Sequence, residues 1–267
     1  MNPGDMKKMA AFVAQRQEMG ESVWYLDPES VFPSEITKPV IPETMPKKTI
    51  IEPVSAPDIS GEPVPVIDEP GSGNFSNDFI AGQTTFDGLY NAVCGCMRCP
   101  LGKTRNKFVF GSGDPKAGIM FIGEAPGADE DEQGLPFVGR GGKLLTKMIE
   151  GIKLTRDEVY ICNILKCRPP GNRDPKPDEI EKCEEIFIKQ IELINPKIIF
   201  ALGRISGQTL LKVKSPLKDL RGKIHDYHGY KLMISYHPAA LLRNPNWKPA
   251  AWDDLKFLRR EYDGVEL

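Results

Sequence analysis

Three of the chain's six cysteines stand within six residues, in Cys94-Gly-Cys-Met-Arg-Cys99. Cys96 and Cys99 form a C-x-x-C pair, and fifteen residues separate a later pair, Cys167 and Cys183. Four thiolates from two distant pairs suit a tetrahedral metal ion or a cubane iron–sulfur cluster. Two zinc-ribbon knuckles would need a second C-x-x-C, which 167/183 does not supply, and spacing alone leaves zinc and iron both open. The plainer reading makes Cys183 a small apolar residue on a buried helix face and Cys167 incidental. Cys162 falls inside an apolar run and reads as buried, and Cys94 reads as a bystander.

Other candidates are scattered further along. The stretch Gly123-Glu-Ala-Pro-Gly-Ala-Asp-Glu-Asp-Glu132 is acidic and glycine-bearing. Most of its carboxylates read as solvated. One beside a glycine turn could orient a water or stabilise a cationic transition state. Phe137 stands alone in Gly-Leu-Pro-Phe-Val-Gly, either as a core plug or as a stacking platform for a planar ligand. Asn163 ends an apolar strand, where its amide either satisfies backbone or reads a base edge. An NH2 toward a carbonyl and a C=O toward a ring N–H fit uracil, and cytosine presents the reverse. His237 precedes Pro-Ala-Ala-Leu-Leu-Arg, which places Leu241, Leu242 and Arg243 on a loop as an apolar wedge for a base stack. His225 and His228 fall in a hairpin without a role.

These residues need a frame to hold them. Gly118–Ile122, Val159–Leu165, Ile198–Leu202 and Lys231–Tyr236 read as strands. Between and after them run helical spacings: Leu144, Leu145, Met148, Ile149 and Ile152; then Ile180, Cys183, Phe187, Ile191 and Ile194; a helix after Gly203; and one through Trp252, Leu255 and Leu258. Four strand–helix alternations predict a three-layer α/β/α fold around a central four-stranded parallel sheet. Ligands in such sheets bind beyond the carboxyl ends of the strands, where the candidates above stand. The first two of these loops exceed what a connector needs.

Composition bounds the rest. With 267 residues, 40 % of them hydrophobic, the chain can build one good core with an appendage. No apolar run approaches a membrane span, and the N-terminus shows no secretory signal, so an intracellular site is expected. Reduced thiols there weaken a disulfide reading. Residues 1–87 hold 6 basic and 14 acidic residues, against 29 and 23 in the remainder, a balance that hints at a polyanionic partner. Ten prolines fall between 28 and 70. We divide the chain into an acidic, proline-rich, largely disordered extension over 1–83, with a short helix at 6–19, and a folded domain over 84–267. The N-terminal helix reads first as a frayed, solvated segment; the sharper reading, with Trp24 and Tyr25 beside it, is a docking peptide for a partner.

Together, "FIGEAPGADEDEQGLPFVG", "CNILKCRPPGNR" and "SYHPAALLRNP", with Cys96, Cys99, Cys167 and Cys183, resemble the iron–sulfur (family 4) uracil-DNA glycosylases over residues 88–262. The resemblance implies a uracil-DNA glycosylase-like domain with a structural 4Fe-4S cluster on those four cysteines. It implies an enzyme that flips deoxyuridine out of DNA, single- or double-stranded, and hydrolyses the N-glycosidic bond to begin base excision repair. Asn163 would read the uracil edge, Phe137 would stack on it and His237 would contact its carbonyl. Gly123, Glu124 and Ala125 would line the pocket and crowd a thymine methyl, and Glu130 would position water. The stretch after Cys167 lacks the histidine of a related covalent-adduct group, so ordinary hydrolysis is expected. The resemblance also suggests a monomer near the chromosome, with a repair or replication protein on the extension. Two readings compete: a non-catalytic iron–sulfur DNA-binding or redox module, and a zinc-bearing hydrolase of free nucleosides.

Overall fold

The structure is a computed structural model and describes residues 75–264. The expected helix over 6–19, Trp24, Tyr25 and the proline-rich stretch lie outside the described residues. The helices begin with α1 (Asn77–Ala81) and α2 (Phe86–Val93), capped by Ser76 and Thr85, whose hydroxyls accept from backbone amides one turn on. A two-residue strand β1 (Ser112–Gly113) precedes the first long strand, β2 (Ile119–Gly123). There follow α3 (Ala128–Gln133), α4 (Arg140–Gly151), β3 (Tyr160–Asn163), α5 (Pro177–Ile194), β4 (Ile198–Leu202), α6 (Arg204–Leu211) and α7 (Leu217–Leu220). The hairpin β5 (Ile224–Tyr227) and β6 (Tyr230–Ser235), then α8 (Pro238–Arg243) and α9 (Lys248–Asp263), complete the order.

The sheet runs β1-β3-β2-β4-β6-β5. Its four inner strands are parallel, as the strand–helix alternation predicts. The outer pairs, β1 with β3 and β5 with β6, are antiparallel, so the sheet is mixed and six-stranded. The expectation of four strands missed β1 because two residues carry no period. Alternation along each buried strand sends Ile119 and Phe121 to one face and Met120 and Ile122 to the other. On the first face they meet Leu145, Met148 and Ile149 of α4 with Leu255 and Leu258 of α9. On the second they meet Phe187, Ile191 and Ile194 of α5 and Leu210 of α6. The result is the expected α/β/α layering.

The folded body starts earlier than residue 84. Ile80 of α1 is buried with Leu89, Val93, Phe110 and Ile186, so α1 packs on α5 as part of the domain. Among the described residues no helix is long and apolar enough to cross a membrane.

Candidate active site

The order β3-β2-β4 means the chain leaves β2 toward one side and returns to its other side through β4. A crevice opens at such a reversal, beyond the carboxyl ends of the strands. Here a cleft of about 1060 Å³ is lined by Glu124 after β2, Asn163 at the end of β3, Gly203 and Arg204 after β4, and His237 after β6. Four elements distant in sequence thus deliver one polar group each to the same space.

Asn163 forms the cleft's floor and is 1 % exposed. Its Nδ2 is buried without a hydrogen-bond partner. An amide donor left so costs about 1–3 kcal/mol, which a ligand acceptor would recover. In the sheet register Gly123 pairs with Asn163. A Cβ at Gly123 would come within 2.2 Å of Asn163 Oδ1 and 2.6 Å of the Phe137 ring, so only glycine leaves room for both. Phe137 is at once core and cleft wall, its ring 5.6 Å from the imidazole of His237 at 31°. Its backbone is left-handed, φ 52°, an uncommon state for an aromatic residue. Arg156 holds it by donating to Phe137 O at 3.2 Å and Pro136 O at 3.0 Å. Gly142 lets the turn approach α4, since a Cβ there would fall 1.8 Å from Phe137 O.

His237 caps α8: its Nδ1 accepts the Ala239 N–H at 3.2 Å. In the neutral ring the proton therefore sits on Nε2. Burial pushes the pKa down to about 4, helped by Arg243 and opposed by Glu130. The ring is thus a neutral donor at working pH.

The two expected carboxylates have different surroundings. Glu130 Oε2 accepts from Gly127 N–H at 3.1 Å, and Oε1 from Val138 and Gly139 N–H at 2.9 and 3.0 Å. These bonds brace the turn that carries Phe137 and engage both Glu130 oxygens, while the residue also lines the cleft. Glu124 has burial as the main cause of a pKa raised to about 7; Asp174 adds to the rise and Arg204 opposes it. Within the acidic stretch Asp131 is also buried, accepting the Asn106 N–H at 2.9 Å, so this stretch is a helix with structural carboxylates.

The four cysteines converge at one corner. Cys167 and Cys183 share an apolar cluster with Leu101 and Leu165, against which Cys99 packs, and Cys96 is buried beside it. Burial pushes the Cys167 thiol to about 11 and the Cys183 thiol to about 12, and charges on neighbouring cysteines, Cys96 among them, act on both. Arg105 donates to Cys167 Sγ at 3.2 Å and to the backbone oxygens of Cys96 and Cys94. The Lys166 N–H donates to Cys183 Sγ at 3.4 Å. Cys162 belongs to the core on the sheet's second face, and the Cys94 thiol donates to Asn91 O at 3.6 Å. Among the described residues no three His, Cys, Asp or Glu side chains are set to hold a metal ion.

The wedge needs correcting. Leu241, Leu242 and Arg243 lie on helix α8, not a loop. Leu241 is 2 % exposed in the core, because one helical turn from the His237 cap faces the sheet layer. Leu242, 44 % exposed, and Arg243 face the cleft. Sequence reading also missed Lys166, fully buried, whose Nζ donates to Asn163 O at 2.7 Å and lies 5.7 Å from the Phe187 ring. A lysine inside an apolar run was the available signal.

A family model for the uracil DNA glycosylase superfamily matches residues 110–256. The chain is 42 % identical over 180 residues to a type-4 uracil-DNA glycosylase of Archaeoglobus fulgidus, covering 64 % of this chain and 90 % of that one. It is 46 % identical over 176 residues to the type-4 uracil-DNA glycosylase of Sulfurisphaera tokodaii, covering 62 % and 80 %. For that of Saccharolobus solfataricus the figures are 45 % over 179 residues, 64 % and 83 %. With over half its length matched by the family and at least four fifths of such relatives covered, the chain belongs to the uracil-DNA glycosylase superfamily, among its type-4 members.

Proposed function

We propose that the chain, as a uracil-DNA glycosylase, takes deoxyuridine flipped from DNA into this cleft and hydrolyses its N-glycosidic bond. The observation that carries this reading is the orphaned Asn163 Nδ2, buried in the cleft that Phe137 also lines. It offers a donor to a uracil carbonyl, while Phe137 covers the ring. When the bond from uracil N1 to the sugar breaks, its electron pair leaves with the base as an anion. His237 Nε2–H, neutral and fixed by the Ala239 bond, donates to that anion without first having to lose a proton. Water adds at the sugar carbon as one of its O–H bonds breaks, and the proton passes to the Glu124 carboxylate and from there to solvent. Glu130 is already bound to backbone, so we assign its expected task to Glu124, whose carboxylate lines the cleft and is half ionised near neutrality. Glu130 acts by holding the Phe137 turn.

Cys96, Cys99, Cys167 and Cys183 would hold the 4Fe-4S cluster. The donor set fits: four thiols from two segments, apolar surroundings, and N–H donors from Arg105 and Lys166 aimed at sulfur. The cluster's contribution here is structural. On this reading the chain acts on cellular DNA as a monomer, with its extension docking a partner protein.

The test is single-turnover excision from a uracil-containing oligonucleotide. Asn163→Ala should slow it by about 10²–10³, with folding and binding to uracil-free DNA unchanged. Near-normal excision by a well-folded variant would sink the base-reading role. A non-catalytic module would show no excision in the wild type.

A further inference from the structure

One aromatic beside the cleft has no task in the reaction above. Trp247 ends the short 3-10 turn Pro245–Trp247 between α8 and α9. Its ring stacks on Tyr236, centroids 5.2 Å apart and planes at 26°. Tyr236 is itself braced: the Arg221 guanidinium lies 5.3 Å from its ring. Two bonds of 3.0 and 2.9 Å pin Arg221 to Asp254, which is buried and also accepts from Ser235 at 2.6 Å. The tower rises from the core to Trp247, yet Trp247 keeps 42 % of its surface exposed. A large aromatic held rigid at the surface forgoes the burial that usually rewards it.

Its position says what could cover it. Trp247, Tyr236 and Leu242 line the same cleft as His237 and Asn163. At about 1060 Å³ that cleft exceeds the roughly 300–1,000 Å³ of a drug-sized ligand's pocket, far more than one pyrimidine requires. Arg140, Arg204, Lys218 and Arg243 also line it, as a phosphate-bearing strand would need. The occupant is therefore flat, apolar on its face and continuous with a polyanion.

We propose that Trp247 is a stacking platform for a nucleobase flanking the extracted uridine. The cleft then holds a neighbouring nucleotide by its π face and not by its edge, so the contact tolerates any base. This inference rests on the reading of the cleft as a uracil site.

The experiment uses single-stranded oligonucleotides with one uracil and an abasic spacer replacing either the 5′ or the 3′ neighbour. For the wild type, the spacer on one side should weaken binding by roughly 5- to 150-fold, the value of one stacked base, with little change on the other side. Trp247→Ala should bind the intact oligonucleotide more weakly by a similar factor and show no further loss with the spacer. Its excision rate at saturation should stay near wild type. Trp247 also stands at the start of α9. Thermal melts and Trp247→Phe, which keeps a ring and should keep the flank dependence, separate lost stacking from lost fold. Equal spacer sensitivity in the wild type and Trp247→Ala overturns the proposal while excision continues. Failure of the wild type to excise uracil at all overturns the reading beneath it.

Discussion

At the scale of single residues, burial moves two ionisable groups of the cleft in opposite directions. His237 is pushed down to about 4 and Glu124 up to about 7, burial being the first cause of each. Burial disfavours the charged form of either group, which makes the imidazole neutral and the carboxyl hard to ionise. Excision should therefore rise with pH through about 7 as Glu124 ionises, with no limb from His237 near its ordinary 6.5. Glu124→Gln should lower the plateau and remove the limb; an identical limb in that variant refutes the assignment. The stability signs differ. Between pH 4 and 6.5 the unfolded chain binds more protons at His237, so that contribution is complete above 6.5 and is lost as pH falls toward 4. Glu124 acts the other way: its folded pKa is raised above the ordinary 4.5, so its contribution is present below 4.5 and is lost as pH rises through about 7.

At the scale of elements, α8 divides its residues between core and cleft. Its six residues follow the His237 cap, and helical geometry turns adjacent leucines to different surroundings. Leu241→Ala should cost about 2–5 kcal/mol by leaving a cavity beneath the helix. Leu242→Ala should leave the melting temperature nearly unchanged and slow excision from duplex more than from single strands, because an apolar wedge helps open a stack. Chemical denaturation and paired excision assays check both. Equal slowing on the two substrates would show that Leu242 is no wedge. The turn before α4 shows the same economy: Glu130, Arg156 and Gly142 all act on it, and together they fix a left-handed Phe137 that no local preference would choose.

At the scale of the molecule, the parallel inner strands aim four loops at one cleft, and the cysteine corner ties the 94–105 segment to the start of the loop after β3 and to α5. A cluster there would staple the 94–105 segment to α5 and to the loop after β3. Metal affinity is then folding free energy. Cys167→Ser should lose iron and sulfide and melt lower, whereas Cys94→Ser should keep both. Iron loss in the Cys94 variant, with iron retained in Cys96→Ser, would reassign the ligands.

Much of this was legible along the chain. Apolar periodicity marks β2, β3, β4 and β6 and the faces of α4, α5 and α9, because burial imposes its period on sequence. Asn163 and His237 stand out as polar residues where strands end, and Phe137 as the lone aromatic of a polar turn. What the chain alone left undecided is what depends on contacts between distant segments. Two residues cannot announce β1. Leu241 and Leu242 look alike until the helix is docked. Glu130 looks like a free carboxylate until Val138 and Gly139 are folded onto it, and Glu124 looks ordinary until it is desolvated. The orphaned amide of Asn163 and the platform at Trp247 exist only in three dimensions. Hydrogen-bond satisfaction and solvent exclusion are properties of the packed molecule, and no spacing rule carries them.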